Sequence, residues 1–335
     1  MILKDRIELL LQLKDKLVRG NVLKKTLMKT YSENKWFTES FVQEMFAAVV
    51  NNYLDENKLA KYIGKYNIKD NLKVRIGIIM AGNIPLVGLH DFISVFLSGK
   101  YALVKLSSKD KVLWQFLFEE MRKINPAVDE YFEVVESLGE MDGIIATGSN
   151  NTNRYFEAYF GKYPNILRKN RTSVAVLNGK ETKEELAALG NDIFQYFGLG
   201  CRNVSKIFLP KDYDVKSLLN HWKDYIHFVN HDKYKNNFDY NLAVLMMKQV
   251  AFIQNDFVLL VEEEHLFSPI SVVFYEYYED KEKLNDTLNL RSNDLQCIVG
   301  NENFGAKTVD FGQSQNPELW DFADGEDTMA FLTSF

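Results

Sequence analysis

Of the two cysteines in this 335-residue chain, Cys201 stands in the setting that suits a nucleophile. It lies in QYFGLGCRNVSKIFLP (195–210), between a predicted helix and a predicted strand, with Gly198 and Gly200 before it and Arg202 after it. Glycine lets backbone approach a sulfur closely. A thiol at the N-terminal end of one helical turn over RNVSK would face backbone N–H groups. Such groups lower a thiol pKa and would hold an oxyanion formed at a carbonyl carbon attached to the sulfur. That is the chemistry of acyl transfer through a thioester. A free cysteine is also commonly a buried small hydrophobe, and this stretch alone leaves both readings open. Arg202 would assist thiolate formation or pair with surface acids. Cys297, inside the apolar run LQCIVG, reads as a core residue of a strand. His221, His227 and His231 have spacings that match no compact helical ligand pair, and the chain lacks H-E-x-x-H or paired-Cys motifs, so no metal site is expected.

The elements around Cys201 can be read from pattern. Thr182 and Glu185 have the spacing of a capping box, and Leu186, Leu189, Ile193 and Phe197 then repeat on one face of a helix expected to stop at Gly198. Ile207, Phe208 and Leu209 form a strand closed by Pro210. Helices near 214–228, 238–251 and 280–288, and strands over 257–261, 270–278 and 296–299, complete this α/β unit.

Upstream, a strand over 74–80, the turn AGNIP, a helix over 88–97 and a strand over 101–106 make a βαβ unit. A helix over 110–124, strands over 131–135 and 143–147, and a turn feeding a helix at GSNNTNRYFEAYF extend it. An open parallel sheet binds its ligand beyond the carboxyl ends of its strands, which selects loops 81–85, 107–110 and 147–151. They suit a dinucleotide, although the G-x-G-x-x-G fingerprint is missing. KLSSK (105–109) offers Lys105, Ser107 and Lys109 with no acid before Asp110, a better match to an adenosine 2′-phosphate than to a bare ribose. Gly148 and Ser149 precede a helix whose N-terminal N–H groups would accept a phosphate. Solvated lysines and an ordinary helix cap are the plain alternatives.

The first seventy residues read as helices, with Leu3, Ile7, Leu10, Leu13 and Leu17 on one face and Phe41, Met45 and Val49 on another. They would pack outside a sheet or present a surface to a partner or second subunit. The domain boundary is expected near 178. Residues 1–177 then hold the N-terminal helices and the unit whose loops suit a dinucleotide, which the resemblance described next makes the nicotinamide-cofactor domain. Residues 178–304 hold the unit with Cys201, which it makes the catalytic domain, and 305–335 form a tail that packs back, since Trp320, Phe322 and Phe331 are too apolar for solvent. A formal charge of −6 from 40 basic and 46 acidic side chains argues against nucleic acid as a principal partner. Two cysteines make no disulfide framework, so a reducing, cytoplasmic setting is expected. The N-terminus reads as an amphipathic helix, not a signal peptide. No run of 18 apolar residues occurs, so no transmembrane segment is expected.

Six ordered segments carry a resemblance: GNIPL at 82–86, VKLSS at 104–108, IATGS at 145–149, GLGCRNVSKIFLP at 198–210, EEHLFSPISVVFYE at 263–276 and the terminal FGQSQNPELWDFADGEDTMAFL. Over residues 70–335 the chain resembles the acyl-CoA reductase family, which includes the fatty-acid reductase components of bacterial bioluminescence, and through it the aldehyde dehydrogenase superfamily. The resemblance implies an α/β fold of two domains with a cleft between them. It implies that Cys201 is the nucleophile, that Asn83 shares the oxyanion hole with the Cys201 backbone N–H, that Lys105 and Ser107 touch the adenosine end of the cofactor, and that Gly148 and Ser149 lie by its pyrophosphate and nicotinamide. The implied reaction is reduction of an acyl-CoA or other acyl thioester to the aldehyde, with NADPH as the expected cofactor and NADH as the alternative.

Two departures matter. Oxidising relatives carry Glu-Leu-Gly-Gly, whose glutamate activates water, whereas PNILRKNRTS (164–173) contains no acid, which favours reduction over hydrolysis. The Glu-x-Phe-Gly-Pro element appears as HLFSP (265–269), so the nicotinamide ribose falls to Glu264, one residue early, to His265, or to solvent. An acyl-activating enzyme is an implied partner, and a homo-oligomer stays open. The rivals are a cysteine acyltransferase or hydrolase without redox chemistry, and a non-catalytic partner of an acyl-activating enzyme.

Overall fold

A computed structural model describes residues 1–18, 21–148, 150–304 and 307–335. The chain divides into two compact units, Met1–Asn170 with Pro317–Phe335, and Arg171–Asn316.

The first unit opens with α1 (Leu3–Val18), α2 (Asn21–Glu33), α3 (Glu39–Asn52) and α4 (Glu56–Ile63). Leu9, Leu10, Leu13 and Leu17 are buried on α1, and Phe41, Val42, Phe46, Val49 and Val50 on α3. Leu3, Ile7 and Met45 are only half-buried, so each face is turned slightly from the expected one. Five strands follow: β1 (Arg75–Ile79), β2 (Tyr101–Lys105), β3 (Phe132–Val134), β4 (Gly143–Thr147) and β5 (Asn165–Arg168). They pair in parallel in the order β3-β2-β1-β4-β5. Strands this apolar must be covered on both faces. The cover comes from α5 (Leu89–Ser98), α6 (Lys111–Ile124) and α7 (Asn150–Phe160), and α1 packs in turn on α5 and α6. The rings of Phe92, Trp114, Phe118 and Phe132 fill the space between helix and sheet.

The second unit is built on β6 (Thr172–Val176), α8 (Lys183–Phe194), β7 (Val204–Pro210), α9 (Asp232–Met247), β8 (Ile253–Gln254), β9 (Leu259–Glu262), β10 (Val272–Tyr278), α10 (Lys281–Leu290), β11 (Leu295–Val299) and β12 (Thr308–Val309). The sheet order is β12-β11-β6-β7-β10-β9-β8, with β8 alone antiparallel. β6 precedes position 178, yet it pairs with β7 and β11, so the units divide at Asn170/Arg171. The expected helix over 214–228 is instead two 3₁₀ segments, Val215–Asn220 and Lys223–Asn230. Between them Trp222 is fully buried and donates its indole N–H to Leu186 O at 3.0 Å, which breaks the run. The next helix begins early, at Asp232, because His231 Nδ1 accepts the Tyr234 N–H at 3.3 Å as an N-cap.

Residues 317–335 return to the first unit. There α11 (Thr328–Thr333) packs on α5, Asp327 accepts from the Tyr66 hydroxyl, and Lys61 sits 3.7 Å from the Trp320 ring centre. Among the described residues no helix is long and apolar enough to cross a membrane.

Candidate active site

The cysteine turn is built by its backbone. α8 starts on the capping box that Thr182 and Glu185 predict, both bonds being present, and it ends at Phe194, four residues before Gly198. Tyr196, Phe197 and Gly198 then follow one another in the left-handed region, at φ 53°, 56° and 74°. Gly198 tolerates this freely, whereas the two aromatic residues cost about 1–2 kcal/mol each. Burial offsets the cost. Phe197 is 4% exposed between the rings of Phe228, His231 and Tyr234, and Tyr196 is 2% exposed, worth about 1.5–3 kcal/mol per large apolar side chain.

Asn203 closes the turn. Its Oδ1 accepts the Gly200 N–H at 2.8 Å, and its Nδ2 donates to the carbonyls of Asp192, Ile193 and Gln195 at 3.1, 3.3 and 2.9 Å. One side chain thereby satisfies carbonyls left over at the end of α8 and pins the residue before Cys201. The Asn203 N–H completes the turn on Gly200 O at 3.1 Å. No helical turn forms over 202–206 as expected. Val204 and Lys206 instead pair with Ser173 and Val174 of β6, and strand pairing takes the backbone groups that a helical start would have turned toward the sulfur. Lys206 itself is buried, held by the Glu276 carboxylate and by Glu264 O at 2.9 Å.

The two thiols differ. Cys201 is half-buried, and its carbonyl accepts from Ser173 Oγ at 3.1 Å. Cys297 lies on β11, 2% exposed, with Ser173 Oγ 3.1 Å from its Sγ. Burial pushes the Cys297 thiol up to about 11, against the pull of Arg202 and the Ser173 hydrogen bond.

The expected cofactor residues of the first unit share one edge of one sheet. Asn83 follows the carboxyl end of β1, Lys105 closes β2 with Ser107 two residues on, and Gly148 follows β4. The chain order reverses between β1 and β4, so these loops flank the switch point of the sheet. Gly82 is required there: a Cβ would lie 2.4 Å from Ser107 Oγ. Lys105 is exposed, its carbonyl accepting the Met80 N–H at 3.1 Å, and Gly148 donates to Arg168 O at 3.4 Å. Ser149 lies outside the described residues.

Asp110, just after the KLSSK loop, is not open to a ligand. It is 2% exposed and its Oδ2 accepts the N–H of Leu86, itself left-handed at φ 50°, at 2.7 Å. Burial raises its pKa well above the usual carboxylate range, opposed by that N–H. Sequence reasoning gave Asp110 no such role, although an acid five residues past a strand end and just before a helix was a visible signal.

The acid-free segment 164–173 holds a buried cation. Arg168 donates through Nη2 to Asp91 Oδ1 at 2.8 Å and to Thr328 Oγ1 at 3.1 Å, with a second bond from Nη1 to Asp91. Burial alone would raise the Asp91 carboxyl, but the guanidinium beside it prevails and holds it well below the usual range. Lys169 pairs with Glu157 at 3.3 Å. Glu264 belongs to the second unit and is exposed. Its carbonyl takes both Lys206 Nζ and Arg291 Nη1, at 2.9 and 3.2 Å.

Two α/β units, one with a parallel sheet in the order 3-2-1-4-5 and one carrying a cysteine turn, define the aldehyde dehydrogenase fold. Solved structures agree. Aldehyde dehydrogenase 21 from Physcomitrella patens, in complex with the reaction product succinate, matches with a TM-score of 0.73 at 10% identity, over 100% of this chain and 84% of that one. An aldehyde dehydrogenase from Bacillus cereus in complex with NAD+ matches at 0.66 and 13%, over 89% and 72%. The NADP-dependent glyceraldehyde-3-phosphate dehydrogenase from Bacillus halodurans C-125, complexed with NADP, matches at 0.64 and 13%, over 89% and 74%. At such identities the likeness is one of fold. No curated protein sequence matches. The family described as Acyl-CoA reductase (LuxC) matches residues 6–218, and the chain belongs to that family of aldehyde-forming oxidoreductases. The match begins within α1, so the N-terminal helices that the expected resemblance omitted are part of it.

Proposed function

We propose that this chain reduces an acyl-CoA, or another acyl thioester supplied by an acyl-activating enzyme, to the aldehyde through a covalent intermediate on Cys201, using NADPH. The observation that carries the reading is the turn that leaves Cys201 accessible while Cys297 is buried. Family membership supplies the reaction class, and solved neighbours in complex with NAD+ and NADP support a nicotinamide cofactor.

The first unit's loops fit such a group. Lys105 and Ser107 would hold the adenosine end, and Gly148 and Ser149 the pyrophosphate and nicotinamide. With Asp110 buried and accepting the Leu86 N–H, no exposed carboxylate of residues 105–110 competes for the ribose, which favours a 2′-phosphate. Glu264 would serve the nicotinamide ribose. When bound, the reduced cofactor supplies hydride to the thioester carbon.

The chain's own residues do the rest. Cys201 thiolate attacks the thioester carbon, forming the C–S bond as the carbonyl electron pair moves to oxygen. The Asn83 side chain and the Cys201 N–H would hold that oxyanion. Collapse breaks the bond to the CoA sulfur, which leaves and takes up a proton. After reduction a second collapse releases aldehyde and restores the thiolate. The acid-free segment, whose Arg168 is locked on Asp91, offers no water activator, which favours a thioester that waits for hydride. The test is to mix the protein with NADPH and a panel of acyl-CoAs and follow the reduced-nicotinamide absorbance. No oxidation with any of them, together with no acyl label on Cys201, refutes the reading.

A further inference from the structure

Asp192, in the last turn of α8, is 1% exposed, and among the described residues no cation pairs with it. Its two carboxylate oxygens accept the N–H groups of Gly312 and Ser314 at 2.6 and 2.9 Å. The loop lies directly on α8: Gly312 is left-handed at φ 79°, and a Cβ there would meet Ala188 Cβ at 3.1 Å. The main-chain oxygen of Asp192 is one of the carbonyls that Asn203 Nδ2 holds. One residue thus grips the loop with its side chain and the cysteine turn with its backbone.

We propose that Asp192 is a positioning residue for the thiol chemistry: its carboxylate seats loop 312–314 on α8 while its carbonyl anchors Asn203, so that loop and cysteine turn are held as one body. The proposal rests on Cys201 being the nucleophile proposed above. Burial pushes the Asp192 carboxyl up to about 6, against the two N–H groups, so the brace is charged at neutral pH and loses an acceptor in mild acid. Cys201 and Arg202 from the turn and Asp192 from α8 all bear on Cys297 of β11, which makes these four groups one electrostatic neighbourhood. Cys297, its thiol pushed up to about 11, stays neutral between pH 5 and 8.

The test compares full-length wild type with Asp192→Asn and Asp192→Glu between about pH 5 and 8. It measures single-turnover acylation by an acyl-CoA, alkylation of Cys201 by iodoacetamide, thermal melting and NADPH binding. Asparagine mimics the protonated acid. Acylation and alkylation should fall on the order of 10- to 100-fold at pH 8, the scale of a misplaced reacting group. The wild-type to Asp192→Asn ratio should converge towards one below pH 6, with NADPH affinity unchanged and Asp192→Glu recovering part of the rate. A ratio that stays flat with pH overturns the proposal, as does a rate loss matched by equal losses in melting temperature and NADPH binding. Wild type that alkylates but never acylates would sink the acyl-enzyme reading instead, and the alkylation ratio would still report on the brace.

Discussion

Replacing Asn203 by Ala removes the side chain on which the cysteine turn depends. The residue is 2% exposed, and its loss strands the Gly200 N–H and the three carbonyls at Asp192, Ile193 and Gln195. Two Nδ2 hydrogens serve those carbonyls, so about three hydrogen bonds disappear at once. A buried polar group left without a partner costs about 1–3 kcal/mol, and water entering at the half-buried Gln195 side would return some of it. The expected loss is about 3–5 kcal/mol. For a unit of this size each kcal/mol moves the melting temperature by about 2–4 °C, giving a fall of roughly 10 °C. Circular dichroism melts measure this, and iodoacetamide labelling reports the turn. Asn203→Asp should be worse than Ala at neutral pH, because it keeps the Gly200 acceptor but turns a carboxylate towards carbonyl oxygens. A loss below about 1 kcal/mol with labelling unchanged would show that the turn is held by something other than this cap.

Three further outcomes are expected. Cys201→Ala should abolish acyl labelling and aldehyde formation and leave NADPH binding and the melt nearly unchanged; label that moves to Cys297 would refute the assignment. Lys105→Ala should weaken NADPH roughly tenfold and NADH little, since an exposed lysine contributes one charge-assisted contact, and equal losses in titrations of both cofactors would sink the 2′-phosphate argument. Isolated acyl-enzyme should decay slowly in buffer, discharge to acyl-CoA on adding CoA and give aldehyde on adding NADPH; release of free acid as fast as turnover would reveal a water activator.

Much of this was legible in the sequence wherever the deciding contact is local. The Thr182–Glu185 capping box and the apolar strands rest on neighbours a few residues apart, and both formed as expected. The cysteine turn was legible only in outline. Glycine spacing marked a special backbone, but two buried aromatic residues in left-handed conformation run against propensity, and one of them, Phe197, packs on rings 31 to 37 residues away. Asn203 and Asp192 work through side-chain bonds spanning 3 to 122 residues, which no periodicity reports. The sheet that β6 joins is settled by pairing across the chain, so the boundary moved although the strand itself was foreseen.

The contrast between the two thiols shows how position decides chemistry. Both border Ser173, through the Cys201 carbonyl on one side and the Cys297 sulfur on the other. With its pKa pushed up to about 11, Cys297 is ionised in only about one molecule in 10⁴ at pH 7, and 2% exposure denies reagents the rest. Cys201 sits at the mouth of a turn with part of its surface open, held by strained backbone and by an asparagine that belongs to no strand or helix. Labelling of the wild-type chain therefore reports Cys201, and every test that reads the thiol inherits that selectivity from the fold.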